Sequence, residues 1–309
     1  MVELTLIIPV YNEEKNIPFL YKRVSEVLVD LKKTYEILFI DDGSNDKTVE
    51  NIIELKNKDD NIKLIQFRKN FGKSYALNLG FRKATGKFII TMDGDLQDDP
   101  QEIPRFLEAI KNYDIVSGWK FKRKDPLTKR LPSKLANYVT RKATGVKIHD
   151  MNCGFKAYRA EAAKSLHIYG DMHRYIPALA TAKGFKVGEI KVKHHKRLYG
   201  KSKYGFMRLF RGLFDFMTIR FLTNYSNRPL HFFGGWGIFS GFLGVIFELI
   251  AVYLKLVQGH SFLEHISLIV FGFVMMLTGL QLISLGLLGE MIIKKEDNKE
   301  DNKIKRFLE

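Results

Sequence analysis

Three acidic clusters follow short apolar runs in this chain, and their residue types suit the handling of a phosphorylated ligand. Asp93-Gly94-Asp95 closes the run Phe88-Ile89-Ile90-Thr91-Met92, with Gln97 and Asp98 just beyond. Two carboxylates flanking a glycine at a strand end can share a hard divalent cation. Mg²⁺ or Mn²⁺ held there keeps open positions for a diphosphate. Asp41-Asp42-Gly43-Ser44 follows a second apolar run, with Asp46 and Thr48 after it. Asp46 suits a helix N-cap with Thr48 in the first turn. The preceding pair of acids has no such use, and one of them can accept hydrogen bonds from a base or ribose. Tyr11-Asn12-Glu13 after Pro9-Val10 supplies a third polar lip.

Elements that position these clusters are legible in the first 118 residues. Apolar runs at 4–10, 36–41, 62–67, 87–92 and 114–117 alternate with helically spaced stretches at 17–31, 48–55, 74–82 and 102–111. Strands separated by helices imply an α/β domain, a mostly parallel sheet covered on both faces. Ligands on such sheets sit at the carboxyl ends of the strands, where all three clusters fall.

Two other motifs do not survive scrutiny. Gly72-Lys73-Ser74 and Gly200-Lys201-Ser202 resemble the end of a phosphate-binding P-loop, but the earlier glycine that the loop requires is replaced by Phe67 and His195. His194-His195 are neighbours, and adjacent strand residues point to opposite faces, so they cannot chelate together. The single cysteine, Cys153, has no partner for a disulfide; it reads as core filler in a chain kept in a reducing compartment.

The formal charge of +16 favours an anionic partner: nucleic acid, an anionic bilayer or phosphorylated substrates. The C-terminal third decides for the bilayer. Residues 232–254 are apolar except Glu248, and residues 266–293 are apolar except Gln281 and Glu290. Each stretch is long enough to cross a hydrocarbon core of about 30 Å. The short link at 255–265 makes them a helical hairpin, against the bland alternative of two buried core helices. Gly237, Gly241 and Gly244, and Gly272, Gly279 and Gly286, are spaced to let helix backbones approach closely, within the chain or in a homo-oligomer. Arg208, Arg211, Arg220 and Arg228 precede the pair and Lys294 and Lys295 follow it, while the link holds only Lys255. The positive-inside rule then puts the N-terminal domain and both termini in the cytoplasm of an integral membrane protein. The N-terminus shows no charged-then-apolar leader pattern, so no cleavable signal is expected.

Between the α/β part and the spans lie two further segments. At 119–150, Lys120, Lys122, Arg123, Lys124, Lys129, Arg130 and Lys134 crowd around Pro126 and Pro132, ahead of a helical stretch at 133–144. This segment suits an acceptor phosphate, with Arg123, Arg130 and Ser133 as candidate contacts. At 203–230, Phe206, Leu209, Phe210, Leu213, Phe214 and Phe216 mix with arginines, the pattern of interfacial amphipathic helices. The division expected is 1–202 for the α/β domain, 203–230 juxtamembrane, 231–293 for the spans, and a disordered charged tail at 294–309.

Taken together, Pro9-Val10-Tyr11-Asn12-Glu13, Asp41-Asp42-Gly43-Ser44 and Asp93-Gly94-Asp95-Leu96-Gln97-Asp98-Asp99-Pro100 resemble the inverting family-2 glycosyltransferases of GT-A, Rossmann-like fold. Arg68-Lys69-Asn70-Phe71-Gly72-Lys73, the stretch from Asp150 to Phe155, and Arg197 with Gly200-Lys201-Ser202-Lys203-Tyr204 narrow the resemblance. They are similar to the branch holding dolichol-phosphate mannose synthase and bacterial polyprenyl-phosphate glucosyltransferases. One departure is Gly94, where relatives often carry alanine. The resemblance implies a metal-dependent hexosyltransferase that moves sugar from a nucleotide-sugar of UDP-glucose or GDP-mannose type to a polyisoprenyl (undecaprenyl or dolichyl) phosphate. Pro9, Tyr11, Glu13 and Asp42 would line the nucleoside pocket. Asp93, Asp95 and Gln97 would hold metal and diphosphate, with Asp95 and Asp150 as the catalytic acids and Asp150 near the acceptor. Arg197 and Lys203 would reach the donor diphosphate or the acceptor phosphate.

Three rival readings meet contrary features in the sequence. A processive polysaccharide synthase of the same superfamily would carry Gln-x-x-Arg-Trp, and neither Trp119 nor Trp236 has that context; a family-2 enzyme acting on a polysaccharide or glycolipid hydroxyl stands as the alternative. A non-catalytic nucleotide-sugar sensor would be expected to lack a metal acid, and both Asp93 and Asp95 are present. A nucleic-acid binder has no need of the two spans.

Overall fold

The computed structural model describes residues 2–121, 145–195 and 228–297, with Arg141, Met217, Thr218, Phe221 and Tyr225 besides. The chain divides into two compact units, Met1–Thr223 and Asn224–Glu309.

In the first unit the strands are β1 (Leu4–Val10), β2 (Tyr35–Asp41), β3 (Ile62–Gln66), β4 (Phe88–Thr91), β5 (Ile115–Lys120), β6 (Lys156–Arg159) and β7 (Val187–Val192). They form one sheet in the order β3-β2-β1-β4-β6-β5-β7. Every pairing is parallel except those of β6, which runs against both β4 and β5. The helices are α1 (Ile17–Asp30), α2 (Thr48–Lys56), α3 (Lys73–Lys83), α4 (Ile103–Ala109), α5 (Ala160–Ser165) and α6 (Ile176–Ala182). The expected alternation of strand and helix is therefore present, with boundaries shifted by a few residues.

Alternation along β1 sorts the core into two layers. Leu4, Leu6, Ile8 and Val10 pack with Leu20, Val24, Val27 and Leu28 of α1 and Phe106 of α4 on one face. Ile7 joins Ala76, Leu77 and Phe81 of α3 and Ala162 and Ala163 of α5 on the other. Each fully buried Leu, Ile or Phe contributes about 1.5–3 kcal/mol, which is why two-sided burial selects near-continuous apolar strands here. The amino-terminal edge of the sheet holds one buried acid, Glu36, and satisfies it fully. Its carboxylate accepts from Thr5 Oγ1 at 2.5 Å, the amide of Thr85 at 2.8 Å and Lys63 Nζ at 2.6 Å. That acid has structural work only.

The second unit is a helical hairpin of α7 (Pro229–Gln258) and α8 (Ile266–Asp297). Both helices are long and apolar enough to cross a membrane. Only 22% and 11% of their most apolar windows are buried, which removes the alternative of core helices. Trp236, Phe242, Leu256, Phe273 and Leu280 face outward. The glycines do the packing. A Cβ on Gly237 would meet the carbonyl of Gly279 at 2.7 Å, and one on Gly244 would meet that of Gly272 at 2.6 Å. Between these contacts Ser240 Oγ donates to the carbonyl of Met275 at 2.8 Å. Helix α8 continues to Asp297, so the start of the expected charged tail is helical. The expected juxtamembrane segment lies mostly outside the described residues.

Candidate active site

The three expected lips meet at the carboxyl edge of the sheet. Beyond β1, Asn12 takes a positive φ of 54°. Its amide donates to Ser44 Oγ at 2.9 Å, and its side-chain oxygen accepts from the amide of Asn45 at 2.9 Å. Glu13 donates its amide to Thr48 Oγ1 at 2.8 Å, and its carboxylate accepts from Asn16 Nδ2. Tyr11 and Pro9 are half-buried beside them. Asp46 is not the expected N-cap, a position that Lys47 takes without a side-chain bond; it stands one residue earlier and ties the start of α2 to the first lip, accepting from the amides of Thr48 at 3.0 Å and Glu14 at 3.2 Å.

Asp41 and Asp42 divide their tasks. Asp41 folds back onto its own turn, accepting from the amide of Ser44 at 3.1 Å. Asp42 reaches across to the segment before α3, accepting from the amides of Phe71 at 2.7 Å and Gly72 at 3.0 Å. Burial pushes its carboxyl upward, against the pull of those two amides. Next to it lies a cavity of about 330 Å³ lined by Gly43, Ser44, Asn45, Gln66, Phe67 and Arg68. Of these, Gln66 and Phe67 carried no sequence signal beyond their place at the end of β3.

Asp93 stands one turn past β4 and pairs with Lys73 Nζ. A Cβ on Gly154 would sit 2.5 Å from its carboxylate, so glycine there leaves room for the acid. Burial raises the Asp93 carboxyl, but Lys73 and then Lys120 outweigh it and hold the group well below the usual carboxylate range. Asp95 is 7% exposed and accepts the amide of Gln97 at 3.2 Å, around a turn in which Leu96 takes φ of 62°. A non-glycine residue in that region marks a turn fixed by its surroundings.

Those surroundings are a layer of buried charge that the sequence did not announce. Lys120, placed by sequence among the loop lysines, is instead the last residue of β5. Its side chain is 11% exposed and lies 3.1 Å from Asp98 Oδ1. Asp98 Oδ2 in turn accepts from the amide of Asp93 at 3.4 Å. Burial lowers the Lys120 ammonium and Asp98 more than restores it. Lys156, which opens β6, is 2% exposed and donates to the carbonyl of Cys153; burial pushes it down to about 8. Cys153 is core filler as expected, its thiol pushed up to about 12 by burial. Asp150 is 2% exposed in the turn before β6, and its carbonyl accepts from Ser117 Oγ at 3.4 Å.

Two histidine groups complete the surroundings. His173 receives Ser74 Oγ at Nδ1, 2.9 Å away, while its own amide donates to the same hydroxyl at 3.0 Å. Burial, then Lys73 and Arg174, keep the ring neutral. His194 and His195 split as expected. His194 bridges to Asp98 and is buried; His195 Nε2 lies 3.2 Å from Asp99 Oδ2. The amide of His195 donates to the carbonyl of Gln97 at 2.8 Å, and Gln97 Nε2 donates to the carbonyl of His195 at 3.4 Å.

The donor set fits a hard divalent cation. Asp93, Asp95 and Gln97 all offer oxygen donors of the kind such a cation takes; Asp95 and Gln97 share one turn, and Gly154 leaves room for the Asp93 carboxylate. Arg123, Arg130, Ser133, Arg197 and Lys203 lie outside the described residues.

Comparison with known proteins agrees with this geometry. The family model described as "Glycosyl transferase family 2" matches residues 5–166. A dodecaprenyl-phosphate galacturonate synthase of Rhizobium johnstonii is 37% identical over 299 residues, 95% of this chain and 88% of its own. An undecaprenyl-phosphate 4-deoxy-4-formamido-L-arabinose transferase of Pseudomonas aeruginosa is 34% identical over 291 residues, covering 94% and 84%. Among solved structures, glucosyl-3-phosphoglycerate synthase of Mycobacterium tuberculosis, in complex with Mn²⁺, uridine diphosphate and product, superposes with a TM-score of 0.54. Its identity is 16%, over 72% of this chain and 80% of that one, so the likeness is one of fold. On the family model and these relatives, the chain belongs to glycosyl transferase family 2.

Proposed function

We propose that this protein transfers a glycosyl group from a nucleoside diphosphate sugar to the phosphate of a polyisoprenyl phosphate at a membrane surface, with inversion at the anomeric carbon. The observation that carries the reading is the reach of the similarity: it covers 94–95% of the chain, the site and the apolar hairpin together, in relatives named for polyprenyl phosphate acceptors. The donor is a uridine nucleotide. The sugar extends past the glucose and mannose expected from sequence to the modified sugars of those relatives, galacturonate or a 4-substituted arabinose.

Each part of the site has a task on this reading. The cavity lined by Gly43, Ser44 and Arg68 takes the nucleoside, and Pro9, Tyr11, Glu13 and Asp42 contact it from the ends of β1 and β2. Asp95 and Gln97, with Asp93 adjacent, hold Mg²⁺ or Mn²⁺. Bound there, the cation supplies positive charge to the diphosphate leaving group. Lys73 keeps Asp93 ionised and in place. By their resemblance to the family motifs, Arg197 and Lys203 are assigned to the donor diphosphate or the acceptor phosphate, and Arg123, Arg130 and Ser133 to the acceptor phosphate.

The acceptor is a phosphate monoester whose second pKa is about 6, so it is mostly dianionic at neutral pH. Its oxygen forms the bond to the anomeric carbon as the bond to the diphosphate breaks, and the electron pair leaves with the nucleotide. No proton has to be removed, so buried Asp150 orients groups at the acceptor side. The arginine and lysine asymmetry around the hairpin supports a cytoplasmic catalytic unit and cytoplasmic termini.

A donor panel tests the reading. Purified protein in detergent is incubated with undecaprenyl phosphate and, in turn, UDP-glucose, UDP-galacturonate, UDP-4-deoxy-4-formamido-L-arabinose and GDP-mannose. Label is expected in the lipid fraction with one of the UDP sugars, and not in an Asp95→Asn variant. No lipid label with any donor would overturn it.

A further inference from the structure

The turn of the hairpin gathers three metal-ligating side chains that the transfer reaction does not use. Helix α7 ends at Gly259, whose φ of 73° closes the helix, and the amide of His260 donates back to the carbonyl of Leu254 at 3.2 Å. Residues 261–265 then form a tight turn into α8. The amide of Glu264 donates to the carbonyl of Ser261 at 3.1 Å, and that of His265 to the carbonyl of Phe262 at 3.2 Å. Glu264 Oε1 accepts the amide of Ser261 at 3.3 Å. That one contact accounts for Glu264 as a capping residue.

An ion pair and an imidazole–imidazole hydrogen bond then bring the second Glu264 oxygen and both histidines together. Glu264 Oε2 lies 3.3 Å from His260 Nδ1, and His265 Nε2 lies 3.1 Å from the same nitrogen. One oxygen and two imidazole nitrogens stand within 4.8 Å of one another. Around a tetrahedral zinc ion, bonds of about 2.0–2.2 Å set neighbouring ligand atoms about 3.3 Å apart. Two of the three ligand–ligand separations, 3.1 and 3.3 Å, are close to that edge. Two imidazoles and a carboxylate are also the ligand chemistry of borderline transition metals rather than of Mg²⁺. His260 and Glu264 are 41% and 58% exposed, so an ion can reach them.

We infer that His260, Glu264 and His265 form a second metal site, selective for Zn²⁺-class cations, which clips the turn joining the two apolar helices. Ser261 orients the carboxylate through its amide, the role that outer partners play at such sites. A fourth position stays open to water. The site is separate in sequence and in ligand type from the oxygen site at Asp95 and Gln97, and does not depend on the reaction proposed for it.

The test uses full-length protein in detergent, stripped of metal and then held in excess Mg²⁺ so that the oxygen site is saturated. Zn²⁺ alone is titrated in and binding measured by calorimetry. Co²⁺ in its place reports coordination through its visible absorption. One equivalent of Zn²⁺ is expected, with intense four-coordinate Co²⁺ bands. His260→Ala and His265→Ala are each expected to weaken binding by at least about tenfold, the loss that even an outer partner causes. Glu264→Gln keeps an oxygen for Ser261 and so keeps the turn; it too is expected to weaken binding. Sugar transfer measured in the same variants is expected to stay at the wild-type level, which shows that they fold. Absence of Zn²⁺ binding under excess Mg²⁺, or binding that the three variants leave unchanged, would overturn the inference.

Discussion

Asp42 and Asp93 occupy equivalent places, each just past the end of a parallel strand, yet the protein neutralises them by different means. Asp42 is held by two backbone amides, those of Phe71 and Gly72. Asp93 is held by an ammonium, that of Lys73. The three partners are consecutive, so one short segment at the start of α3 ties both lips together. Burial leaves Asp42 with a raised affinity for its proton that the two amides only partly offset; charge leaves Asp93 firmly ionised. An acid oriented by amides suits recognition of a base or ribose. An acid locked in its charged form suits the diphosphate end, where positive charge gathers.

Substitutions sharpen this contrast, and the largest effect lies on the charged side. Asp95→Asn is expected to lower turnover about 10²–10³-fold while thermal unfolding changes little, because the cation that offsets the leaving group's negative charge loses its ligand. EDTA should do the same to the wild type. Full activity in EDTA would take the metal out of the account.

Lys156 gives the next effect, and its sign can be worked out. Burial holds its folded pKa near 8, below the ordinary 10.5, so between those values the unfolded chain binds more protons. Stability should therefore rise as pH climbs from about 8 to 10.5, by the order of 3 kcal/mol, and be complete above that window. Lys156→Met should remove the rise. A profile unchanged by the substitution would mean that Lys156 is charged in the fold.

The pair itself comes third. Lys73→Met and Asp93→Asn should each destabilise by about 1–3 kcal/mol, below the figure for a fully buried pair because both side chains retain 29% exposure. The double variant should lose less than the sum, since neither charge is left alone. Additive losses would mean that the two groups act separately. The dipolar side is the mildest. In Asp42→Asn one amide keeps an acceptor, so the donor Michaelis constant should rise about tenfold, about 1.4 kcal/mol, with turnover nearly unchanged. A fall in turnover equal to the loss in kcat/KM would place Asp42 at the reacting centre.

The two sides also differed in how far the sequence revealed them. Asp42, Asp93 and Asp95 stand directly after apolar runs, and period-two burial with helical spacing placed those runs correctly. Asp46 was legible as marking the start of α2, but it falls one residue before the cap, because the helix begins only at Thr48. The cations were not. Lys73 looked like a failed P-loop residue, and only the positive φ of 92° at Gly72 and the crossing of α3 over the sheet bring it to Asp93. Lys120 belonged by composition to a basic loop; strand pairing of β5 with β7 extends the strand through it and buries it on Asp98. Lys156 depends on β6 inserting antiparallel between β4 and β5, a topology that no spacing along the chain encodes. Counter-charges come from elements distant in sequence, so they appear only once the sheet is assembled. In the hairpin, where glycine spacing is itself the packing rule, the sequence carried nearly the whole arrangement.

The most direct test of the central claim is to identify the nucleotide that leaves. With a donor labelled in the sugar and lipid phosphate labelled with ³²P, the account predicts one lipid product that carries both labels, released together with UDP in equal amount. That result requires attack by the lipid phosphate on the anomeric carbon, with the donor diphosphate departing intact. Release of UMP would instead mean transfer of a phosphosugar, with the bond broken inside the diphosphate, and would contradict the account.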